Sequence, residues 1–215
     1  MATAYNINMF KTIWTKAEKA SLELGKRKGE APDMKGTGRR NALLIALAPN
    51  VSSSVLCNTS SASEPIKSNA YAHRTKNGSF LVKNVYLEKV LEEKGLNTPE
   101  IWNSIILNQG SVQHIEELDE DTKAVFKTSF EIDQHWIIEH AAKRQPYVDQ
   151  SQSINLFFPY GADRAYVNSV HYKAWSNGLK GLYYLRTEAN RITDTTVKKE
   201  RVALKDGDEC LSCHG

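Results

Sequence analysis

Two cysteines near the end of the sequence offer its most reactive side chains. Cys210 and Cys213 are separated by two residues and are followed directly by His214. This spacing is typical of dithiol redox sites and of half a zinc site, and with the histidine it also matches covalent haem attachment. A zinc site needs four ligands, but this stretch supplies at most three. Haem needs a pocket that covers it, but only a single residue follows the motif. The pair is either inert or, as its place at the tip of the chain favours, a dithiol that exchanges with a distant disulfide.

A stretch of small residues, 50–54, offers a second kind of chemistry. It follows the continuously apolar run Ala42–Ala48, which is typical of a strand buried on both faces. A loop after such a strand can direct its backbone N–H groups at an anion. A plain polar turn is the alternative, because no Gly-Lys-Ser/Thr motif accompanies the stretch. The residues alone leave both interpretations open.

Two other groups of residues predict structure rather than chemistry. His135 and His140 are five residues apart, whereas the histidines of zinc-protease helices are four apart and share one face. We therefore predict that both histidines are structural. Cys57 stands alone after an apolar pair and is predicted to be a small buried side chain.

Helices with recognisable ends separate these groups. Apolar residues recur at three- and four-residue steps, and capping residues or glycines mark the boundaries. The predicted helices are Lys11–Lys28 and segments from Asn84 to Gly95, Thr98 to Gly110, Asp133 to Pro146 and Asp163 to Gly178. The last one leads into a predicted strand, Leu179–Thr187. Residues 188–215 begin with a long polar stretch and are predicted to form a flexible tail.

The overall composition narrows the class of protein. At 215 residues and 40% hydrophobic content, the chain can form one core or part of a larger one. A net charge of +3 is too small and too evenly spread to favour a nucleic-acid partner. The longest apolar run is too short to cross a membrane, and the N-terminus lacks the features of a secretory signal. We therefore expect a cytoplasmic protein, in which paired thiols are more often catalytic or metal-binding than attached to haem.

Several motifs occur in one order from about Lys11 to the end of the chain. They are Lys35-Gly-Thr-Gly-Arg-Arg-Asn41, Ala48-Pro-Asn-Val-Ser-Ser-Ser54, Ser63-Glu-Pro65, Ile132-Asp-Gln134, Asp149-Gln-Ser-Gln-Ser-Ile-Asn155, Gly181-Leu-Tyr-Tyr184 and the terminal cysteine pair. With these motifs the chain resembles the C-terminal part of the large, catalytic subunit of class I aerobic ribonucleoside-diphosphate reductase, of the bacterial and phage type. The resemblance implies an α/β fold in which residues 11–187 form the C-terminal portion of a ten-stranded α/β barrel with helices outside. Residues 1–10 match nothing in the family and are interpreted as a lead-in.

The resemblance also assigns roles to three groups of residues. The loop that holds the diphosphate of a ribonucleoside diphosphate substrate corresponds to Pro49, Asn50, Val51, Ser52 and Ser53. Tyr183 and Tyr184 resemble the adjacent tyrosines that relay a radical towards the active site. Cys210 and Cys213 resemble the tail dithiol that reduces the catalytic disulfide again and is itself reduced by thioredoxin or glutaredoxin.

Other parts of the family's machinery have no counterpart in this sequence. The thiyl-forming cysteine, the two reducing cysteines and the finger loop are absent, and Cys57 is at a position that the family does not use. We therefore expect the chain to be inactive alone and to need an N-terminal companion part of the large subunit. The resemblance implies a second partner, a radical-generating small subunit that carries the metal-radical cofactor. This chain itself is expected to bind no cofactor or metal.

Three functions stay open at the level of the sequence. The leading one is the C-terminal portion of a reductase large subunit, either from a split gene or as an excised fragment. The second is an interaction or regulatory remnant that docks on the reductase without completing it. The third is a small c-type cytochrome, which the terminal Cys-x-x-Cys-His motif alone would suggest.

Overall fold

The computed structural model describes residues 2–57, 59–75 and 78–188. The helices in this part of the chain are α1 (Ala2–Lys28), α2 (Val51–Cys57), α3 (Val85–Glu93), α4 (Pro99–Leu107), α5 (Glu120–Val125), α6 (Gln134–Arg144) and α7 (Arg164–Ser176). The strands are β1 (Ala70–Thr75), β2 (Gly78–Lys83), β3 (Leu156–Phe158) and β4 (Leu185–Thr187). Short 3-10 turns occupy Pro32–Met34 and Gln145–Tyr147.

The capping residues identified in the sequence begin the helices that they predict. The side chains of Asn84, Thr98, Asp133 and Asp163 each accept a hydrogen bond from a backbone N–H in the first turn of α3, α4, α6 and α7. These bonds satisfy donors that lack a partner inside the helix. Helix α6 ends at Arg144, and Pro146 lies in the 3-10 turn that follows. Local capping chemistry thus predicted these four helices correctly.

Helix α1 begins earlier than the sequence predicted. It starts at Ala2 rather than Lys11, so residues 2–10 continue the same helix. The Asn6 side-chain amide donates to the carbonyl oxygen of His140 over 2.9 Å, and the ring of Phe10 is buried. These contacts hold the first turns of α1 against α6. The contacts come from distant residues, and this explains why local patterning did not reveal them.

Three extended segments form a small parallel sheet in the order 45–47, 150–158, 183–187. Leu47 forms a parallel bridge with Gln152, and Leu156, Phe157 and Phe158 of β3 pair with residues 185, 186 and 187 of β4. The N–H groups of Gln150 and Ser153 donate to Ile45 and Leu47 on one side. The Tyr183 N–H donates to the carbonyl oxygen of Ile154 on the other side. The segment 150–158 is therefore the middle strand, and the other two segments are edges.

The apolar run Ala42–Ala48 does not form the doubly buried strand that its composition predicted. Its only bridge is at Leu47, and Leu43 remains 55% exposed. Leu179–Thr187 is also shorter as a strand than predicted, since β4 includes only its last three residues, all exposed. Each of these segments has a neighbour on one side only among the described residues.

Two separate clusters of buried side chains form the core. One lies under the hairpin of β1 and β2 and includes Leu87, Leu91, Trp102 and Ile105. The other joins α6, β3 and α7, with Ile138, Ile154, Phe158 and Val170 at its centre. Gln134 crosses the second cluster: its side chain donates to the carbonyl oxygens of Ser129 and Ile132 and accepts the N–H of Phe157. The hairpin and β3 were not predicted from the sequence.

The fold is of the α/β class, as predicted, but the described residues do not close a barrel. Their strands form one antiparallel pair and one parallel pair, extended by the bridge at Leu47. A parallel sheet with open edges needs further strands to close. No helix in the described part of the chain is long and apolar enough to cross a bilayer.

Candidate functional site

The predicted substrate loop lies where the first edge segment ends. Pro49 and Asn50 follow the segment that pairs with the middle strand, and Val51, Ser52 and Ser53 form the first turn of α2. Residues 51–54 are therefore helical rather than an open loop, which corrects the prediction for this stretch. The first hydrogen bond of the helix runs from Ser54 N–H to the carbonyl oxygen of Asn50. The N–H groups of residues 51–53 precede it, so the helix itself does not satisfy them.

A shallow pocket of about 270 Å³ opens beside this loop. One wall consists of residues 46–50 and the opposite wall of residues 60–63, with Ser153 of the middle strand also at its surface. The Asn50 N–H donates to the carbonyl oxygen of Ser61 over 3.0 Å and ties the two walls together. Pro49 and Asn50 thus line the pocket, whereas Val51, Ser52 and Ser53 are exposed on α2 next to it.

The second wall contains functional candidates that motif reading did not single out. Ser60, Ser61 and Ser63 bring hydroxyl and backbone groups to the pocket, and Ser153 adds another hydroxyl residue. Two signals for them were present in the sequence, since Ser63 and Ser153 lie within motifs that carry the family resemblance. Spacing could not reveal that these residues face Asn50, because the chain between them folds back through α2.

The tyrosine pair lies at the opposite edge of the same sheet. The ring centroids of Tyr183 and Tyr184 are 4.0 Å apart and the ring planes are inclined by 47°. Adjacent residues of a regular strand point to opposite faces, but both tyrosines lie just before β4 begins at Leu185. Irregular backbone at this point allows the rings to meet. The contact that the resemblance requires is therefore present in this chain.

The electrostatic environment of the pair is asymmetric. The pKa of Tyr183 is raised above its usual value, mainly by a side-chain hydrogen bond with Tyr184 and also by the charge interaction with Tyr184. Arg186 partly opposes this shift. The Arg186 guanidinium lies 5.0 Å from the centroid of the Tyr184 ring, which is a cation–π distance. Tyr183 and Tyr184 are 49% and 51% exposed, so about half of each ring is available to a partner.

The middle strand places the loop and the tyrosines level with each other. Gln152 pairs with Leu47 immediately before the loop, and Ile154 accepts the N–H of Tyr183. Neighbouring strands are about 4.8 Å apart, so the two edges that flank the middle strand are separated by about 10 Å. The sheet thus brings together two groups of residues that are more than a hundred positions apart in the sequence.

The remaining candidates have different outcomes. Cys210 and Cys213 lie outside the described residues. Cys57 is exposed, which contradicts its predicted burial, because α2 lies at the surface beside the pocket.

His135 Nδ1 is 2.8 Å from Asp133 Oδ1 and Nε2 is 3.0 Å from Ser169 Oγ, so its hydrogen bonds connect α6 with α7. No three His, Cys, Asp or Glu residues in the described part of the chain form a group suited to a metal ion.

Residues 32–185 match the family described as the barrel domain of ribonucleotide reductase. This match covers more than half of the chain, and the chain therefore belongs to that family. A solved structure, described as the alpha subunit of a class Id ribonucleotide reductase from Actinobacillus ureae, is 44% identical and superposes with a TM-score of 0.81. The similarity covers 90% of this chain and 36% of that subunit.

The similar curated proteins are large subunits of ribonucleoside-diphosphate reductase. A ribonucleoside-diphosphate reductase large subunit of Invertebrate iridescent virus 6 is 47% identical over 193 residues, covering 87% of this chain and 20% of the relative. The corresponding protein of Invertebrate iridescent virus 3 is 42% identical over 222 residues, covering 99% of this chain and 35% of the relative. The chain thus spans only about a third of its relatives' length or less. Animal viruses and a bacterium both appear among these matches, so the bacterial and phage type stays a prediction.

Proposed function

We propose that this chain is the C-terminal portion of the large subunit of a ribonucleoside-diphosphate reductase, which converts ribonucleoside diphosphates to deoxyribonucleoside diphosphates. The observation that carries the proposal is that one small sheet holds a polar pocket at one edge and two tyrosine rings in contact at the other. Family membership supports this assignment, because both groups correspond to motifs of the large subunit. In the assembled enzyme these residues act as one part of a larger active site.

The pocket is proposed to bind the diphosphate of the substrate. Pro49 and Asn50 line it, and the adjoining first turn of α2 leaves the backbone N–H groups of Val51, Ser52 and Ser53 without partners inside the helix. Such N–H groups and serine hydroxyls are suitable donors to phosphate oxygens. The serines of the opposite wall extend the donor set. The nucleoside would then lie towards the face that other parts of the enzyme complete.

The tyrosines are proposed to relay a radical from the small subunit. Each transfer moves one electron and one proton from a phenol to a neighbouring phenoxyl radical, so the two rings must be close. The 4.0 Å centroid separation meets this requirement. Exposure of half of each ring supports a docking face for the small subunit, since a radical relay has to be shielded from water. The metal-radical cofactor belongs to that partner and not to this chain.

A companion polypeptide is proposed to supply the active-site cysteines and the missing strands. Both edges of the parallel sheet are open among the described residues, and apolar side chains such as Leu43 and Leu185 are exposed there. Open edges with exposed apolar residues favour pairing with further strands. Cys210 and Cys213 are proposed to reduce the catalytic disulfide and to pass the oxidation to thioredoxin or glutaredoxin in the cytoplasm.

The first test is an affinity pull-down of the tagged chain from its native host, with the bound chains identified by mass spectrometry. We expect a longer reductase-like chain with the missing cysteines and a radical-bearing small subunit. The purified mixture should reduce cytidine diphosphate, whereas this chain alone should not. If the assembled mixture lacks this activity, the chain is a non-catalytic remnant and the proposal is wrong. A covalent haem band in the visible spectrum would instead support a cytochrome.

Substitutions in the assembled mixture test the individual roles. Tyr183→Phe and Tyr184→Phe should each abolish turnover, because phenylalanine has no phenolic proton to lose, while exposed Tyr86→Phe on α3 serves as the control. Cys210→Ser and Cys213→Ser should abolish turnover with thioredoxin or glutaredoxin but retain it with a small dithiol, which can diffuse to the disulfide directly. Full activity of Tyr184→Phe would refute the relay.

A further inference from the structure

A buried arginine lies directly behind the pocket. Arg144, the last residue of α6, is only 4% exposed. Its Nη2 donates to Ser63 Oγ over 2.9 Å and its Nε donates to Gln152 Oε1 over 2.5 Å. The centre of the guanidinium lies 5.7 Å from the centroid of the Phe10 ring on α1. The groups that contact the cation directly are thus neutral, and the buried carboxylate of Glu64 acts on it from farther away.

The charge of Arg144 lacks a close ionic partner within the described residues. None of their carboxylates makes an ion pair with it at 4.0 Å or less. Burial lowers the pKa of the guanidinium, and attraction to Glu64 partly offsets this effect. A buried charge without a paired counter-charge is costly. The hydrogen bonds to Gln152 and Ser63 offset part of this cost.

The contacts of Arg144 reach both walls of the pocket. Ser63 belongs to one wall, and Ser61 of the same wall accepts the N–H of Asn50. On the other side, Gln152 forms the bridge with Leu47, which lines the opposite wall. A single guanidinium therefore holds Ser63 and, through Gln152, the strand that carries the loop. Movement of this group would alter the separation of the two walls.

We infer that Arg144 is a positioning residue for the substrate: it fixes the two walls of the pocket and supplies positive potential that favours a diphosphate between them. This role rests on the proposed function of the pocket. The guanidinium acts through Ser63 and Gln152 and does not itself contact the reacting atoms. Because it attracts an anion in the ground state and in the transition state alike, its removal weakens binding more than turnover.

The test uses the assembled enzyme that has passed the reconstitution experiment. Arg144→Gln should raise KM for cytidine diphosphate about tenfold, which is typical for loss of a charge-assisted contact, and leave kcat within about twofold. Inorganic pyrophosphate, which carries only the anionic group, should inhibit competitively, and its inhibition constant should rise by the same factor. Arg144→Lys should recover part of the loss, because it keeps the charge without the fork of donors.

Two further variants keep the test decisive if Arg144→Gln fails to fold. Ser63→Ala removes one of the two contacts at an exposed residue, where water can reach the vacated position. It should raise KM and the pyrophosphate inhibition constant about threefold, with a smaller loss of stability than Arg144→Gln. Exposed Arg27→Gln on α1 is the matched control and should change nothing. A fall in kcat or stability with both constants unchanged, in Arg144→Gln or in Ser63→Ala, would show a structural role only and overturn the inference. An inactive wild-type mixture would refute the proposed function itself, whatever the variants do.

Discussion

The middle strand and the edges of the parallel sheet both contain apolar residues, but these residues are buried to different extents. Leu156, Phe157 and Phe158 are 1%, 6% and 0% exposed, whereas Leu43, two residues before one edge, and Leu185 on the other edge are 55% and 49% exposed. β3 is hydrogen-bonded to β4 and has α6 and α7 packed against it, while the preceding residues 150–153 of the middle strand pair with the first edge. Each edge has one neighbour among the described residues. Burial of an apolar strand is thus decided by what flanks it, and composition shows only that it can be buried.

The largest expected difference between the two regions is in the free energy of unfolding. Phe158→Ala removes a fully buried ring that lies 5.6 Å from the ring of Tyr166, and should destabilise the chain by about 3–5 kcal/mol. Leu43→Ala at the edge should cost less than about 1 kcal/mol in the isolated chain. Urea unfolding followed by circular dichroism measures both values. Equal destabilisation would mean that the edge is already covered in solution.

A smaller loss of stability is expected when the hydrogen bonds that attach the first edge to the middle strand are removed. The carboxylate of Asp149 accepts the N–H groups of Leu44 and Ile45 over 2.6 and 3.0 Å. Asp149→Ala leaves both donors without this partner and should destabilise the chain by about 1–3 kcal/mol. Exposed Asp33→Ala is the control and should stay within about 0.5 kcal/mol of the wild type. No loss of stability in Asp149→Ala would show that water replaces the carboxylate without cost.

The smallest expected effect is on the pH dependence of unfolding, and it concerns the glycine-containing loop that leads into the first edge. The carboxylate of Glu30 accepts the N–H groups of Gly36 and Gly38, and these bonds, that of Gly36 first, lower its pKa below the ordinary value of 4.5. A group whose pKa is lower in the folded state stabilises the fold above its unfolded pKa and loses that contribution as the pH falls through the folded value. Unfolding measured from pH 6 down to pH 3 should therefore show a shallower acid destabilisation in Glu30→Gln. Identical pH profiles would exclude a contribution from Glu30.

Local chemistry explains how much of the fold could be predicted. The caps at Asn84, Thr98, Asp133 and Asp163 act within three residues of their own position, so their helices follow from short stretches of sequence. The hairpin was missed because, among its residues of known burial, Ala70 is buried while Tyr71, Phe80 and Leu81 remain exposed, which obscures the usual alternation. The start of α1 at Ala2 was not predicted, because the contacts of its first turns are with α6, far along the chain.

In the candidate site, too, residues within local motifs were identified from the sequence, whereas residues brought together by packing were not. The resemblance identified Pro49, Asn50 and the tyrosine pair from their motifs, and the rings are in contact as it requires. The wall of serines at 60–63 and the buried Arg144 behind it were not singled out, because their relation to the loop depends on how α2 and α6 pack. The burial predicted for Cys57 was wrong for a related reason, since an apolar neighbourhood in sequence does not place α2 inside.

By itself, the sequence determined the family of this chain and the starts of four helices. These properties depend on side-chain type and on spacing over a few residues. The residues that it assigned to redox and phosphate-binding chemistry stay predictions. Only the tertiary structure decided that the loop and the tyrosines flank one strand, that Arg144 is buried behind the pocket and that no further strand of the described residues covers either sheet edge. Such relations arise from contacts between residues that are distant along the chain, and local composition carries no information about which of those contacts form.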